Sequence, residues 1–267
     1  MRAAFVTEYR KVVTTRLWWI LLAAMVAYLA FIAAVLAWTV TRPAAADGSS
    51  SVTMTPFEAA RSVYTVGSSI GYVFPLVIGA LAMASEFRHR TITPTLLAEP
   101  RRTVFLVGKL VAGLGVGLVF GVVGTAVSTG AGAAVLAATG HPTLLGEPGT
   151  WRVVGLAVLA MALWALVGVG VGTVLTNQVA VVVVVLAWTQ FVEPVARLAL
   201  GATSWGGDVV AYLPGAAADA LTGGSFYSQV DSSAPLLEWW AGLLVLVGYV
   251  AVLAVVGRLT TLRRDIT

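Results

Sequence analysis

Residues 17–40 read LWWILLAAMVAYLAFIAAVLAWTV, an apolar run without a charged side chain. A helix needs about 20 such residues to cross roughly 30 Å of hydrocarbon. The run is longer than the apolar core of a signal peptide, which has about 7–15 residues, so we expect it to be retained. It therefore predicts a first membrane-spanning helix.

Five more apolar runs follow it, and we predict spans at 63–84, 106–130, 153–175, 179–200 and 237–257. Only 10% of the 267 residues are charged, whereas about a quarter are charged in soluble proteins. The runs lack the period-2 alternation of a membrane β-barrel. The sequence thus predicts an all-α integral membrane protein, with six transmembrane helices in a single transmembrane domain over residues 1–267.

The positions of lysine and arginine predict the orientation, because cytoplasmic loops carry an excess of these residues. Twelve of the 16 basic residues share one side if both termini are cytoplasmic. They are Arg2, Arg10, Lys11, Arg16, Arg88, Arg90, Arg101, Arg102, Lys109, Arg258, Arg263 and Arg264. We expect a multi-pass protein of the cell membrane with both ends in the cytoplasm.

Three segments outside the spans have their own predictions. Residues 1–16 place apolar side chains at helical spacing, which indicates an amphipathic helix on the inner leaflet. Residues 85–103 should be cytoplasmic. Residues 201–236 contain no lysine or arginine and should be extracytoplasmic, with short re-entrant or interfacial helices before the last span.

The cytoplasmic segment begins SEFRHRTITPTLLAEPRR at residues 85–102. Pro94 and Pro100 break any long helix, and the pair Leu96–Leu97 lies between them among arginines. A short helix with an apolar face and charged ends is typical of a docking element. The alternative is that the arginines contact anionic lipid headgroups.

This segment resembles the cytoplasmic loop of type-2 ABC transporter permeases. The matching features are Glu86, the stretch TITPTLL at 91–97, Pro100–Arg101–Arg102 and Gly108–Lys109. The six apolar runs and the basic C-terminus extend the resemblance over nearly the whole chain. Arg90 is a departure, because many members carry glycine at that position.

The resemblance implies that this chain hydrolyses no ATP and is not an enzyme. ATP and Mg²⁺ would belong to a separate nucleotide-binding ATPase subunit, and the chain itself would hold no cofactor. The absence of the phosphate-binding pattern G-x-x-x-x-G-K-[ST] agrees with this. The ATPase contacts that we expect are Glu86, Arg88, Arg90, Leu96, Leu97, Arg101 and Arg102.

The remaining partners implied are a second permease, identical or related, and membrane lipid, with no nucleic acid. Export is also implied by the resemblance, and the many tryptophans suit an amphiphilic, lipid-like or drug-like substrate. The alternatives are an ATP-independent secondary transporter or channel, and a structural membrane subunit. An intramembrane enzyme lacks a credible catalytic set. With no cysteine and two distant histidines, we expect no metal site.

Small residues recur at four-residue spacing inside two predicted spans, at Gly113, Gly117 and Gly121 and at Gly168 and Gly172. Such stripes let helices approach closely. The contact could be within one subunit, or at a subunit interface or a moving interface.

A second intramembrane feature is polar. Gln190, Glu193 and Arg197 lie near the outer end of the fifth span, and Glu193 and Arg197 can pair at four-residue spacing. The pair could be self-satisfied at the headgroup boundary, or it could line a translocation path or external gate.

The letters GSSIG at 67–71 match a serine-nucleophile pattern, but no strand or histidine accompanies them. We expect Ser68 and Ser69 to donate to nearby backbone carbonyls instead.

Overall fold

Helices account for all of the regular structure in the part of the chain described by the computed structural model, which is residues 15–42, 54–98, 100–203, 205–225, 228 and 236–263. Five helical segments are long and apolar enough to cross a membrane. They are Arg16–Val40, Arg102–Ala138, Pro148–Val174, Gln178–Gly201 and Trp239–Thr260. The predicted interfacial helix at 1–16 falls almost entirely outside the described residues.

In chain order the helices are α1 (Arg16–Val40), α2 (Pro56–Tyr64), α3 (Val66–Ser69), α4 (Val73–Arg88), α5 (Ile92–Ala98), α6 (Arg102–Ala138) and α7 (Pro148–Val174). They continue with α8 (Gln178–Ala187), a π-helical turn (Trp188–Val192), α9 (Glu193–Gly201), α10 (Gly206–Val210), α11 (Pro214–Leu221) and α12 (Trp239–Thr260).

The second predicted span, 63–84, is not one helix. It is divided between α2, α3 and α4, with interruptions at Thr65 and at 70–72. Pro75 explains the second interruption, because its nitrogen has no hydrogen to donate to the Gly71 carbonyl and proline is tolerated in the first turn of a helix. The signal was present in the sequence as Gly67, Gly71 and Pro75 at four-residue intervals.

Helix α7 lies at the centre of the molecule and packs against α4, α6 and α12. Its most apolar window is 67% buried, whereas the corresponding windows of the other four long helices are 17–33% buried. Its neighbours therefore present most of their apolar surface outward, as expected of helices that meet lipid or another subunit.

The predicted glycine stripes lie at helix contacts inside this chain. A Cβ atom on Gly168 would lie 2.0 Å from the Leu76 carbonyl oxygen of α4, and one on Gly172 would lie 2.3 Å from the Ala80 oxygen. The three glycines of α6 face α7, and a Cβ on Gly117 would lie 2.7 Å from the Cβ of Ala165. Only a hydrogen fits between these backbones.

Hydrogen bonds and a cation–π contact link helices and loops at both ends of the bundle. At one end, Arg88 Nη1 donates to Gln178 Oε1 over 2.7 Å. At the other end, the Tyr64 hydroxyl donates to the Thr143 carbonyl over 2.6 Å, and Arg152 lies over the Trp239 ring. Arg88 belongs to the predicted cytoplasmic segment, whereas Thr143 and Arg152 lie between the third and fourth predicted spans, on the opposite side of the bundle.

Candidate functional site

The predicted coupling segment folds into a helical elbow, which we define as residues 85–102. Helix α4 ends at Arg88, α5 follows at 92–98, and α6 begins at Arg102. The Thr91 N–H donates to the Glu86 carbonyl over 3.0 Å and closes the turn between α4 and α5. Arg90 has φ +55°, the left-handed conformation in which glycine is least strained. This is the position at which many permeases of the resembling family have glycine.

A buried ion pair holds the elbow against α6. Lys109 Nζ lies 2.6 Å from Glu86 Oε1, and each side chain is only 3% exposed. The same amine donates to the Ala82 carbonyl over 3.1 Å, and the Thr91 hydroxyl donates to the other oxygen of Glu86. The family resemblance predicts that Glu86 contacts the ATPase. The structure instead gives Glu86 a positioning role inside the chain.

The two leucines of α5 have different environments. Leu96 packs against a cluster formed by Met83, Ile92, Phe105, Leu106 and Leu262. Leu97 is 79% exposed. Leu96 is therefore partly buried against the apolar cluster, whereas Leu97 lies on the surface and is available to a partner.

Three of the four arginines of the elbow, Arg88 included, are exposed, and Arg102 is half-buried. Arg88 bonds to Gln178 at the start of α8, and Arg102 donates to the Leu262 carbonyl beyond α12. Arg90 and Arg101 are exposed. Arg88 and Arg102 thus connect the elbow to the start of α8 and to the turn after α12.

The predicted pair of Glu193 and Arg197 is part of a larger charged cluster, which also contains Asp219. Arg197 donates from Nη2 to Glu193 Oε1 over 3.0 Å and from Nη1 to Asp219 Oδ2 over 2.8 Å. The Gly215 N–H donates to the same Glu193 oxygen over 2.6 Å. Glu193 is 2% exposed, and the contacts from Gly215 and Asp219 show that α11 covers the pair.

Asp219 was missed because it lies 22 residues beyond Arg197, in the separate segment 201–236 for which short re-entrant or interfacial helices were predicted. Helix α11 of that segment packs on α12 and is buried along its length. A hint was available: an aspartate within the otherwise apolar stretch AAADAL is costly unless it is paired.

The π-helical turn at Trp188–Val192 precedes Glu193. Pro194 cannot donate a backbone hydrogen bond, and the wider turn accommodates its ring without breaking the segment. Gln190 lies in this turn, where its Nε2 donates to the Thr189 hydroxyl over 3.3 Å.

Two cavities adjoin this turn. The polar cavity, about 40 Å³ in volume, is bounded by Ser68, Ser69, Tyr72, Gln190 and the charged cluster, among others. The apolar cavity, about 320 Å³, lies between α4, α7, α8, α11 and α12, with Trp164, Trp188 and Tyr249 in its wall. Ser68 and Ser69 donate to the Thr65 carbonyl over 3.0 and 2.9 Å, which confirms the expected backbone bonding.

Among the described residues, no group of three or more histidine or carboxylate side chains could hold a metal ion.

A comparison with known protein families gives a match over almost the whole chain. The family model described as "ABC-2 family transporter protein" matches residues 3–266, and a search of curated proteins finds no significant match. The family match spans the elbow, the central helix and the charged cluster alike. An all-helical chain with several membrane-crossing helices, matched from end to end by this model, belongs to the ABC-2 family of transporter proteins.

Proposed function

We propose that this permease subunit takes its driving force from a separate nucleotide-binding ATPase, which docks on the elbow. The observation that carries the proposal is the exposure of Leu97 on a short helix whose base is fixed by the Glu86–Lys109 ion pair. An exposed leucine beside exposed arginines suits insertion into a partner's cleft, with the charges setting its register.

We also propose how the transporter is assembled and oriented in the membrane. Two permeases, identical or related, enclose the route, both termini are cytoplasmic, and the segment 63–88 crosses the plasma membrane as a broken sixth span. Short helices α10 and α11 dip into the outer leaflet. Export rests on the family resemblance, and the many tryptophans suit an amphiphilic substrate.

The docking test compares the two leucines of α5. Leu97→Asp should abolish capture of the cognate ATPase in a pulldown, at least tenfold below wild type, while the permease still inserts and unfolds at the wild-type temperature. Leu96→Asp should instead lower the unfolding temperature, because it buries a charge in the apolar cluster.

Leu236→Asp is the matched control, because Leu236 is an exposed leucine at the opposite end of the bundle. It should leave ATPase capture unchanged. Normal capture by Leu97→Asp would disprove docking through this face of α5.

The charged cluster also fits the rival function, an ATP-independent secondary transporter. The two functions differ in a transport assay on purified permease in vesicles. Uphill transport without any ATPase would establish the rival, whereas dependence on added ATPase and ATP supports the proposed function.

A further inference from the structure

The charged cluster leaves one carboxylate oxygen unsatisfied. Glu193 Oε1 accepts hydrogen bonds from Arg197 and Gly215, but Oε2 is buried and has no hydrogen-bond partner among the described residues. A buried carboxylate oxygen without a donor is energetically costly. Oε2 therefore marks a place where a hydrogen-bond donor is missing.

The wall facing the cluster supplies acceptors. Ser68 and Ser69 both line the polar cavity, and both use their hydroxyl hydrogens on the Thr65 carbonyl. The Thr189 hydroxyl likewise donates to a carbonyl one turn earlier, over 2.9 Å. With their hydrogens committed, these hydroxyl oxygens retain only lone pairs. Such a wall favours a group that donates several hydrogen bonds.

The charge of the cluster favours the same kind of group. Two carboxylates, Glu193 and Asp219, share the single guanidinium of Arg197. The cluster therefore carries one negative charge in excess when all three groups are ionised. A buried excess charge is stabilised by an added cation. A cavity of about 40 Å³ can hold an ammonium group, since a water-sized group needs roughly 10–15 Å³ of such space.

The apolar cavity shares part of its wall with this polar cavity. Thr189 lies in the wall of both, and Pro214 lines the apolar cavity while its neighbour Gly215 lines the polar one. Tyr72 of the polar cavity stacks on Trp164 of the apolar cavity, with ring centroids 4.3 Å apart. The two cavities thus form adjoining compartments of opposite character.

We propose that these compartments bind an organic amine with an apolar body. The protonated amine donates to Glu193 Oε2 and to the serine hydroxyl oxygens, and the apolar body fills the larger cavity. This inference deepens the proposed function, because it assigns the transported substrate to the class of cationic amphiphiles. A neutral or anionic amphiphile would leave the excess negative charge uncompensated.

The test uses two probes of nearly equal size, 4-phenylbutylamine and 4-phenylbutanol, with the purified permease in detergent micelles. Binding is measured by calorimetry without any ATPase. Wild-type protein should bind the amine at least tenfold more tightly than the alcohol. Equal affinities in the wild type, where no variant is involved, would overturn the proposal.

Single variants test whether the amine lies in the polar cavity and the apolar body in the larger cavity. Glu193→Gln should reduce the preference for the amine to less than twofold, whereas Glu147→Gln, at an exposed carboxylate on the loop before α7, should preserve it. Val184→Trp should fill the apolar cavity and weaken both probes. An unchanged preference in Glu193→Gln, or unchanged binding in Val184→Trp, would contradict the assignment.

Thermal unfolding of each variant identifies any that fail to fold, and the wild-type comparison decides the question in that case. Because ATPase docking plays no part in this measurement, a failed pulldown leaves the result intact. Conversely, absence of amine selectivity leaves the docking proposal standing.

Discussion

At the scale of single residues, the charges buried in the bundle are the least predictable feature. Sequence analysis identified Glu86 and Lys109 as charges near a membrane exit, but they lie 23 residues apart across a turn and a helix start. Short-range spacing carries no information about such a pair. The Glu193–Arg197 pair was predicted because four-residue spacing on a helix brings side chains together, whereas Asp219 required the tertiary structure.

The ion pair under the elbow gives a stability prediction. Lys109→Met should destabilise the protein by about 3–5 kcal/mol, because it leaves the Glu86 carboxylate buried without its countercharge. The double variant Glu86→Gln/Lys109→Met should recover most of that loss. Thermal unfolding in detergent measures both. A single variant as stable as wild type would show that the pair contributes little.

The start of α2, which precedes the predicted second span, gives a pH prediction. The backbone N–H and the hydroxyl of Thr55 donate to Glu58 and lower the pKa of that carboxyl below its usual 4.5. A carboxyl with a lowered folded-state pKa contributes stability that is present above pH 4.5 and is lost as the pH falls through the folded-state pKa.

Hydrogen exchange of the α2 amides checks this expectation. Protection should fall on acidification below pH 4.5 in the wild type. Glu58→Gln should show reduced protection at neutral pH and a flat acid response. Equal pH dependence in both proteins would disprove the role of Glu58.

At the scale of elements, the long apolar runs were predictable because a helix is the simplest structure that satisfies its own backbone in lipid. The interruptions at Thr65 and 70–72 were not predicted, since uncharged residues there keep the hydropathy high. The π-helical turn was missed for the same reason. Prolines 75 and 194 were visible in the sequence, but the way the backbone accommodates each proline depends on neighbouring helices.

The contact between α4 and α7 gives an element-scale prediction. Gly168→Ala should destabilise the protein by about 1–3 kcal/mol, because the new Cβ would lie 2.0 Å from the Leu76 oxygen and force the helices apart. Gly155→Ala, on the same helix with nothing within 4 Å, should be neutral or stabilising by up to about 1 kcal/mol. Thermal unfolding compares the two, and equal losses would contradict the close contact.

At the scale of the whole molecule, the absence of cysteine allows a direct test of orientation. Single cysteines placed by Leu97→Cys and Glu147→Cys occupy exposed positions at opposite ends of α6. A membrane-impermeant maleimide should label Glu147→Cys in intact cells and Leu97→Cys only in inside-out vesicles. Labelling of Leu97→Cys in intact cells would overturn both the orientation and the docking proposal.

The backbone contact between α4 and α7 has a mechanical consequence. Because Gly168 and Gly172 lie directly against the backbone of α4, no side chains separate α4 from α7 at these positions. We therefore expect the two helices to move together as one rigid unit. A displacement of the elbow at the Arg88 end of α4 would then be transmitted to the other end of the helix, at residues 70–72. Ile70 and Tyr72 border the polar cavity, so motion driven by the proposed ATPase would change the shape of that cavity from a distance.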